Sequence, residues 1–324
     1  MVERGGQNLR RMAFYARGIY REALPFAVMR QRLNRRLRDF RLDELSASMR
    51  ARLDFYNRLS GEFATDAAVP VQRISRKKSM YYIDFMEFAR SYGPDACLSF
   101  LPGDVTAVPP HPTIVKSRPI APDNRNSVLF KLNKFRHFNF LNDPVPFRDK
   151  APRAVWRGRL HNAARQDLLR RFVGHRQVDV GHIGPQFEGI DPLPFLDQRQ
   201  QLQSRYLLAL EGIDVATNLK WIMSSNSVAF SPPMKFETWF MESRLIPGTH
   251  FVEIAPDYSD LEEKIDHFNA HPDAAEEIIR NAHAWIDQFR DRQSEDLLCT
   301  LVLQKYLELA GELPNALLPN RYFT

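Results

Sequence analysis

Cysteine is scarce in this chain of 324 residues. Cys97 and Cys299 are the only two, and their separation fits no metal-binding or redox motif, which favours a reducing compartment such as the cytoplasm. No apolar run approaches the roughly 18 residues that a transmembrane helix needs. Arginines interrupt every apolar stretch near the N-terminus, so no signal peptide is expected. An apolar content of 44% is enough for a core, and the length allows two domains.

Several cofactor and catalytic motifs are also missing. The sequence has no G-x-G-x-x-G or Walker phosphate loop, no G-x-S-x-G, and no H-E-x-x-H or comparable histidine spacing. It also has no Asp-x-Asp, the carboxylate pair with which many sugar transferases hold a divalent ion. A transferase of that type would have to neutralise a leaving diphosphate with arginines and helix ends, and we therefore expect neither a metal nor a cofactor.

Positive charge is concentrated near the N-terminus. The formal net charge is +6, and the segment from Arg10 to Arg52 holds twelve arginines, no lysine and only four acids. The apolar residues between these charges predict two basic helices, broken near Pro25. Such a segment can be a helical extension that packs on the body, a contact with an anionic membrane surface, or a nucleic-acid binder. No zinc-finger, RNA-recognition or homeodomain signature supports the last alternative, so no nucleic-acid partner is expected.

Strands alternate with helices on both sides of a proline-rich middle, which predicts an α/β fold of two Rossmann-like domains facing a cleft. The expected parts are a basic helical extension (1–60), a first α/β domain (61–150), a second α/β domain (151–290), and a C-terminal helix and tail (291–324) that can pack back on the first domain. The predicted strands are 97–101, 113–115, 127–130, 154–156, 178–181, 206–210 and 227–230. The predicted helices are 162–173, a pair within 259–290 whose first helix is capped by Ser259, and an amphipathic helix at 297–309.

Residues 206–254 form the most informative segment. A strand at 206–210 ends at Glu211-Gly212, a helix is expected to begin at Asp214 or Thr217, and a second strand at 227–230 stops at Pro232. A strand that leads into a capped helix presents backbone N–H groups at the carboxyl edge of a sheet, where α/β proteins bind phosphorylated ligands. The same pattern is also typical of an ordinary core unit.

Two other positions carry candidate chemistry. Asp104 follows a predicted strand and a Pro-Gly turn, so it can be a general base at a sheet edge or a plain turn residue. The run Trp156-Arg157-Gly158-Arg159, with Arg165 behind it, puts cations around a turn that opens a helix. That arrangement suits an anion such as a nucleoside diphosphate, although surface arginines on a connecting helix give the same pattern.

A series of motifs occurs in order along the chain: Trp156-Arg157-Gly158, Tyr206, Glu211-Gly212, Thr217-Asn218-Leu219-Lys220, Ser225-Asn226-Ser227-Val228, Trp239-Phe240, Leu245-Ile246-Pro247-Gly248-Thr249-His250-Phe251 and Tyr258-Ser259-Asp260-Leu261-Glu262-Glu263-Lys264-Ile265. These motifs resemble those of glycosyltransferase family 90, which includes eukaryotic protein O-glucosyltransferases. The sequence is most similar to the bacterial branch of that family, the lipopolysaccharide core transferases of the LpsA type. The resemblance covers roughly residues 95–290 and is strongest from 154 to 265.

The resemblance implies a GT-B fold and an inverting, metal-independent transfer of a hexose from a UDP-sugar. It implies Asp104 as the catalytic base and Arg165 as a diphosphate ligand. Eukaryotic members carry an arginine at the position of Asn218, and Lys220 or Arg159 can replace that charge. By analogy with dinucleotide folds, Glu237 or Glu242 can accept from the ribose hydroxyls. The donor set is therefore Arg157, Gly158, Arg159, Arg165, Val215, Ala216, Thr217, Asn218, Lys220, Glu237 and Glu242.

The acceptor expected from the resemblance is a lipopolysaccharide core or a related surface glycan, lipid-linked or phosphorylated. Basic residues that can meet it, or can simply be solvated, are Lys116, Arg118, Lys134 and Arg136. We therefore expect a cytoplasmic protein, peripheral on the inner face of the bacterial inner membrane. The alternatives are a protein or capsule glycosyltransferase of the same family and a non-enzymatic basic module that binds membrane or nucleic acid.

Overall fold

A computed structural model describes residues 2–64, 66–313 and 322–323, with side chains from residue 8 onward. The described residues contain the α-helices α1 (Val2–Ala23), α2 (Phe26–Leu37), α3 (Ala47–Tyr56), α4 (Ser79–Ala89), α5 (Lys134–His137), α6 (Ala163–Phe172), α7 (Gln198–Gln201), α8 (Leu219–Ile222), α9 (Leu261–Ala270), α10 (Pro272–Asp287) and α11 (Arg292–Leu309). Short 3-10 helices lie at Leu42–Glu44, Val71–Arg73, Arg90–Tyr92, Phe147–Asp149 and Glu242–Arg244.

The strands are short, and most of them pair in parallel. They are β1 (Val69–Pro70), β2 (Cys97–Leu98), β3 (Phe100–Leu101), β4 (Thr113–Val115), β5 (Ser117–Pro119), β6 (Ser127–Leu129), β7 (Ala151–Gly158), β8 (Val178–His182), β9 (Ser204–Leu208), β10 (Val228–Ser231), β11 (Phe236–Thr238) and β12 (Val252–Glu253). Alternating strands and helices with parallel sheets confirm the α/β class. No helix in the described part of the chain is both long and apolar enough to cross a membrane.

The chain divides into two compact units. The first comprises Met1–Phe135, Glu237–Met241 and Asp291–Thr324, and the second comprises Arg136–Phe236 and Glu242–Arg290. The domain boundaries expected from the sequence, at residues 60, 150 and 290, stay a prediction.

The second unit is built on a five-stranded parallel sheet in the order β12-β10-β9-β7-β8. The middle of β7 and most positions of β8, β9 and β10 are buried, as expected for a parallel sheet that is covered by helices on both faces. The strands predicted at 154–156, 178–181 and 227–230 are confirmed, and the one at 206–210 begins two residues earlier, at Ser204. The core combines strand residues with side chains from α6, α9 and α10, among them Ala154, Leu168, Val178, Tyr206, Phe230, Ile265 and Ile278.

Two helix starts in this unit differ from the prediction. The helix expected from Asp214 or Thr217 is only the four-residue α8, because the carbonyl of Asp214 accepts from Gly212 N–H at 3.0 Å and closes a turn instead. A helix this short gives no helix-dipole phosphate site. The other helix, α9, has Asp260 rather than Ser259 at its N-cap position, since the Ser259 hydroxyl donates to Asp257 at 2.7 Å.

The first unit combines the basic N-terminal helices with short strands. The break between α1 and α2 falls at Pro25, as predicted, since proline favours a helix start over a helix interior. Its parallel sheet has the order β3-β4-β6 and confirms the strands predicted at 113–115 and 127–130. The single strand predicted at 97–101 is interrupted, because Ser99 N–H donates to the Tyr306 hydroxyl at 3.1 Å.

The helix α11 is more deeply buried than an amphipathic pattern predicts. It begins at Arg292, five residues before the predicted start, and Asp291 caps it by accepting from Ser294 N–H at 3.0 Å. Most of its apolar residues are buried, and so are four of its polar ones, Glu295, Thr300, Gln304 and Glu308. The helix is therefore an internal element of the first unit and not a surface helix.

Buried charges join α11 to the rest of the first unit. Glu295 is 3% exposed and pairs with Arg52 on α3 and, at 2.6 Å, with Lys131. It also accepts from the indole N–H of Trp239 at 2.8 Å, and that indole stacks on Tyr56 with ring centroids 3.7 Å apart. Because a buried charge is costly unless it is paired, these contacts fix how α3, α11 and the segment 237–241 pack together.

Candidate active site

The order of strands in the second unit marks a position for a ligand. From β7 the chain goes to β8 on one side of the sheet, and then to β9 on the other side. The connections that follow β7 and β9 therefore lead to opposite sides of the sheet, which makes the carboxyl ends of these two strands a topological switch point. Open α/β sheets bind their ligands at such a switch point.

Two side chains at the start of α6 bond to the loop after β9. Asn162 caps the helix by accepting from Arg165 N–H at 3.1 Å, and its amide donates to the carbonyls of Glu211 and Gly212 at 3.1 and 2.9 Å. Arg165 Nε donates to the Glu211 carbonyl at 3.0 Å and Nη2 to the Leu210 carbonyl at 2.7 Å. We call these five residues, Asn162, Arg165, Leu210, Glu211 and Gly212, the switch-point cluster.

The guanidinium of Arg165 lies among neutral partners. It donates to backbone carbonyls and lies 5.6 Å from the centre of the Trp156 ring, and no carboxylate among the described residues bonds to it. Burial lowers its pKa, and the nearby exposed Arg136 acts in the same direction while Tyr258 opposes it. A half-buried cation without a counter-charge is suited to an anionic ligand such as a diphosphate.

Glycine allows the close approach in this cluster. A Cβ on Gly212 would lie 3.2 Å from Nη2 of Arg165, and a Cβ on Gly158 would lie 2.6 Å from the Trp156 ring. The two glycines thus let the loop and the turn pack against the arginine and the indole.

The other predicted cations of the second unit differ in whether a carboxylate already pairs with them and in how exposed they are. Arg157 is committed to Asp179, with Nη2 to Oδ1 at 2.6 Å. Arg159 is exposed, and its carbonyl accepts from Arg165 Nη1 at 3.0 Å. Lys220 has no exposed surface and pairs with Glu242 at 2.7 Å. Arg159 is therefore the better candidate to replace the charge that eukaryotic members carry at position 218.

The predicted donor loop 215–218 follows β9. Val215 and Ala216 are buried, whereas Thr217 and Asn218 are partly exposed. The Asn218 amide donates to the Leu208 carbonyl at 2.9 Å, which attaches the loop to the end of the strand. Of these four residues, only Thr217 and Asn218 have side chains with polar groups at the surface.

The two predicted ribose carboxylates are buried in ion pairs. Glu237 belongs to the first unit, is 1% exposed and pairs with Arg118 Nε at 2.7 Å. Glu242, in the second unit, is equally buried against Lys220. Because such pairs are costly to break, Glu237, Glu242 and Lys220 are structural residues and not ligands of the ribose or the diphosphate.

Sequence reasoning did not single out the side chain of Glu211. Its Oε1 accepts from the backbone N–H groups of Lys235 and Phe236, at 2.9 and 3.0 Å. Burial raises the pKa of this carboxyl to about 7, although the two N–H groups oppose that shift. The signals in the sequence were its position just after the strand predicted at 206–210 and its place among the residues that match family 90.

Asp104 lies in the first unit, on the turn that follows β3. Its Oδ1 accepts from Lys116 Nζ at 2.7 Å and from the Tyr81 hydroxyl at 3.1 Å. Lys116 is 3% exposed, whereas the Asp104 side chain is 32% exposed, so the lysine lies beneath a carboxylate that remains accessible. Burial raises the pKa of Tyr81, which keeps the phenol protonated as a donor.

The turn that carries Asp104 is held in place on both sides. Val105 N–H donates to the Ser117 hydroxyl on β5 at 3.1 Å. Before it, Gly103 has φ +112°, and Lys78 Nζ donates to the Pro102 carbonyl at 3.1 Å. The carboxylate is thus positioned by fixed backbone on either side.

The four predicted acceptor residues do not form one surface. Lys116 pairs with Asp104, and Arg118 is fully buried with Glu237. Lys134 pairs with Glu87 at 2.5 Å, and Arg136 belongs to the second unit. Arg118 is unavailable to an acceptor for this reason, and Arg136 is better placed to influence Arg165.

The comparison with protein families decides the class of this chain. The model of Glycosyl transferase family 90 matches residues 133–314, more than half of the chain. The chain belongs to glycosyltransferase family 90. The chain is also similar to the O-glucosyltransferase LpsA of Dichelobacter nodosus. The two sequences are 40% identical over 315 residues, which is 95% of this chain and 99% of the relative. The resemblance noted in the sequence is thereby confirmed.

As a family-90 member, the chain is a glycosyltransferase. The matched segment includes the whole switch-point cluster, whereas Asp104 lies before it. In the part of the chain that the structure describes, no group of three or more His, Cys, Asp or Glu side chains is placed to hold a metal ion.

Proposed function

We propose that this family-90 enzyme transfers glucose from UDP-glucose to a hydroxyl of a lipopolysaccharide core or a related surface glycan, with inversion and without a metal. The choice of glucose and of an oxygen acceptor is based on the relative from Dichelobacter nodosus, which is an O-glucosyltransferase. The observation that carries the proposal is Arg165 at the switch point of a parallel sheet, a cation to which no carboxylate bonds in the part of the chain that the structure describes.

The donor diphosphate would bind at the switch-point cluster. Arg165 would exchange some of its carbonyl contacts for phosphate oxygens, and the exposed Arg159 would add a second cation. Thr217 and Asn218, at the surface of the loop after β9, would bind polar groups of the sugar or the nucleotide. We infer that the second unit binds the donor and that the first unit, which carries Asp104, binds the acceptor.

Asp104 would act as the base. The acceptor hydroxyl gives its proton to the Asp104 carboxylate while its oxygen forms a bond to C1 of the sugar. The C1–O bond to the diphosphate breaks with its electron pair on UDP, whose charge the arginines stabilise. One displacement of this kind inverts the anomeric centre. Lys116 and Tyr81 would position the carboxylate.

A thermal-shift panel of nucleotide sugars tests the donor. The true donor at 100 times its Kd should stabilise the protein by about 2.7 kcal/mol. UDP-glucose should stand out from UDP-galactose and GDP-mannose. A larger shift with another nucleotide sugar would reject the proposed donor, and no shift with any of them would reject the switch-point site.

Substitution of Asp104 tests the mechanism. Asp104→Asn should lower the rate of sugar transfer about 10²–10⁴-fold, the usual contribution of a positioned base, and leave UDP affinity unchanged. Asp123→Asn, a change of an exposed aspartate in the same unit, is the matched control. Transfer by Asp104→Asn at the wild-type rate would exclude Asp104 as the base.

A further inference from the structure

One side of the helix α1 packs on α4. Gly18 lies against Ile83, where an added Cβ would come within 2.8 Å of the isoleucine side chain. The Tyr15 hydroxyl lies 3.2 Å from the Ser79 hydroxyl, and Arg21 pairs with Glu87 at 2.5 Å. These contacts set the orientation of the helix on the first unit.

The opposite side of α1 is apolar and faces solvent. Leu9, Met12, Ile19 and Tyr20 are 69%, 68%, 66% and 61% exposed, and at 3.6 residues per turn they fall within an arc of about 100°. The exposed Ala16 lies inside the same arc. We call these five residues the α1 stripe. Single exposed apolar residues are ordinary, but a continuous stripe on one helix indicates an interaction surface.

The charges around the α1 stripe are positive. Arg10 and Arg17 lie along one edge and are exposed. Between residues 8 and 23 the only acid is Glu22, which pairs with Arg76 at 3.4 Å. The stripe is therefore bordered by cations along one edge, and the one carboxylate on this part of the helix is already paired.

We propose that α1 lies in the plane of an anionic phospholipid bilayer, with the α1 stripe among the upper acyl chains and Arg10 and Arg17 at the lipid phosphates. An apolar stripe bordered by arginines is the pattern of interfacial helices. A nucleic-acid backbone would bind the arginines and leave the stripe exposed to water, so the lipid surface explains both features. The proposal stands without the donor assignment, and it would place the enzyme at the surface that carries a lipid-linked acceptor.

Sedimentation of the full chain with vesicles tests the α1 stripe. The protein should bind vesicles that contain phosphatidylglycerol and not vesicles of pure phosphatidylcholine. Ile19→Asp should weaken this binding at least tenfold, because a charge replaces an inserted apolar side chain. Ile246→Asp is the matched control, since Ile246 is 55% exposed and lies in the second unit. It should bind as the wild type does.

The arginines are tested in the same assay. Arg10→Gln combined with Arg17→Gln should weaken binding about 25-fold, or fivefold for each charge removed at the lipid surface. Arg280→Gln, a change of an exposed arginine on α10, should have no effect. Thermal unfolding should be unchanged in all these variants, because the side chains are exposed. Hydrolysis of the donor should also be unchanged, which separates this proposal from the donor site.

Three outcomes would overturn the proposal. Wild-type binding by Ile19→Asp would show that the α1 stripe is not inserted. Equal binding to neutral and anionic vesicles would remove the role of the arginines. Binding to a random-sequence DNA duplex that exceeds vesicle binding, and that Ile19→Asp leaves unchanged, would identify a nucleic-acid surface instead.

Discussion

At the scale of single residues, the partners of a charged side chain separate ligand candidates from structural groups. Arg165 and Arg118 look alike in the sequence, yet Arg118 is buried against Glu237, whereas Arg165 bonds to carbonyl oxygens. An arginine that is paired with a buried carboxylate is already neutralised, and it could bind a phosphate only if that costly pair were broken. The same criterion excludes Lys220 and retains Arg159.

The first prediction at this scale concerns Arg165. Arg165→Ala should weaken UDP binding by at least tenfold in calorimetry, since a hydrogen bond to a charged group contributes about 1.5–3 kcal/mol. Asn162→Ala removes bonds within the same cluster without removing a cation, so it should lower the melting temperature more than the UDP affinity. Wild-type affinity in a folded Arg165→Ala variant would remove the arginine from the site.

A second prediction concerns Glu211 and pH. Its pKa is raised by burial from 4.5 to about 7, so the folded state holds the proton more tightly than the unfolded chain does. The stabilisation is complete below pH 4.5 and is lost as pH rises through 7. Glu211→Gln should therefore gain stability relative to the wild type between pH 5 and pH 8, measured by urea unfolding. If the free energies of unfolding of Glu211→Gln and the wild type differed by the same amount at both pH values, the raised pKa of Glu211 would be contradicted.

At the scale of elements, strands were easier to predict than turns. The strands predicted at 154–156 and 178–181 correspond to β7 and β8, whose apolar residues are buried in a sheet that helices cover on both faces. The helix expected after β9 is only the four-residue α8, since the hydrogen bond between Gly212 and Asp214 closes a turn in that loop. Capping residues indicate where a helix can begin, but packing decides whether it continues.

The turn after β3 leads to a prediction about Gly103. Its φ of +112° is unfavourable for any side chain, and an added Cβ would lie 1.9 Å from Lys78 Nζ. Gly103→Ala should therefore destabilise the protein by about 1–3 kcal/mol and also lower the transfer rate, because Asp104 is the next residue. Gly61→Ala, where nothing lies within 4 Å of the new Cβ, is the control. A melting temperature of Gly103→Ala equal to that of the wild type would show that the turn accommodates the added methyl group.

At the scale of the whole molecule, the chain returns twice to the first unit, at 237–241 and at 291–324. Each return contributes a buried carboxylate. Glu237 pairs with Arg118, and Glu295 pairs with Arg52 and Lys131. Unit 1 is thus assembled from three separate stretches of sequence, and paired charges specify how the later two join the first.

This assembly predicts a large effect of Glu295. Glu295→Ala would leave Arg52 and Lys131 buried without their counter-charge, and breaking such a pair costs about 3–5 kcal/mol. Urea unfolding should show this loss, whereas Glu62→Ala on the surface should change stability by less than about 0.5 kcal/mol. A loss below 1 kcal/mol for Glu295→Ala would mean that water replaces the carboxylate.

The sequence by itself determined the family, the α/β class, most strands of the second unit and the break at Pro25, because apolar runs and punctuating prolines are local signals. Only the tertiary structure decided which charged side chains are held in buried ion pairs. Arg52 and Glu295 lie 243 positions apart, and no spacing rule connects them. Burial and pairing depend on which distant segments pack together, and for that reason Lys220 and Arg118 proved structural, whereas Arg165 bonds to no carboxylate among the described residues.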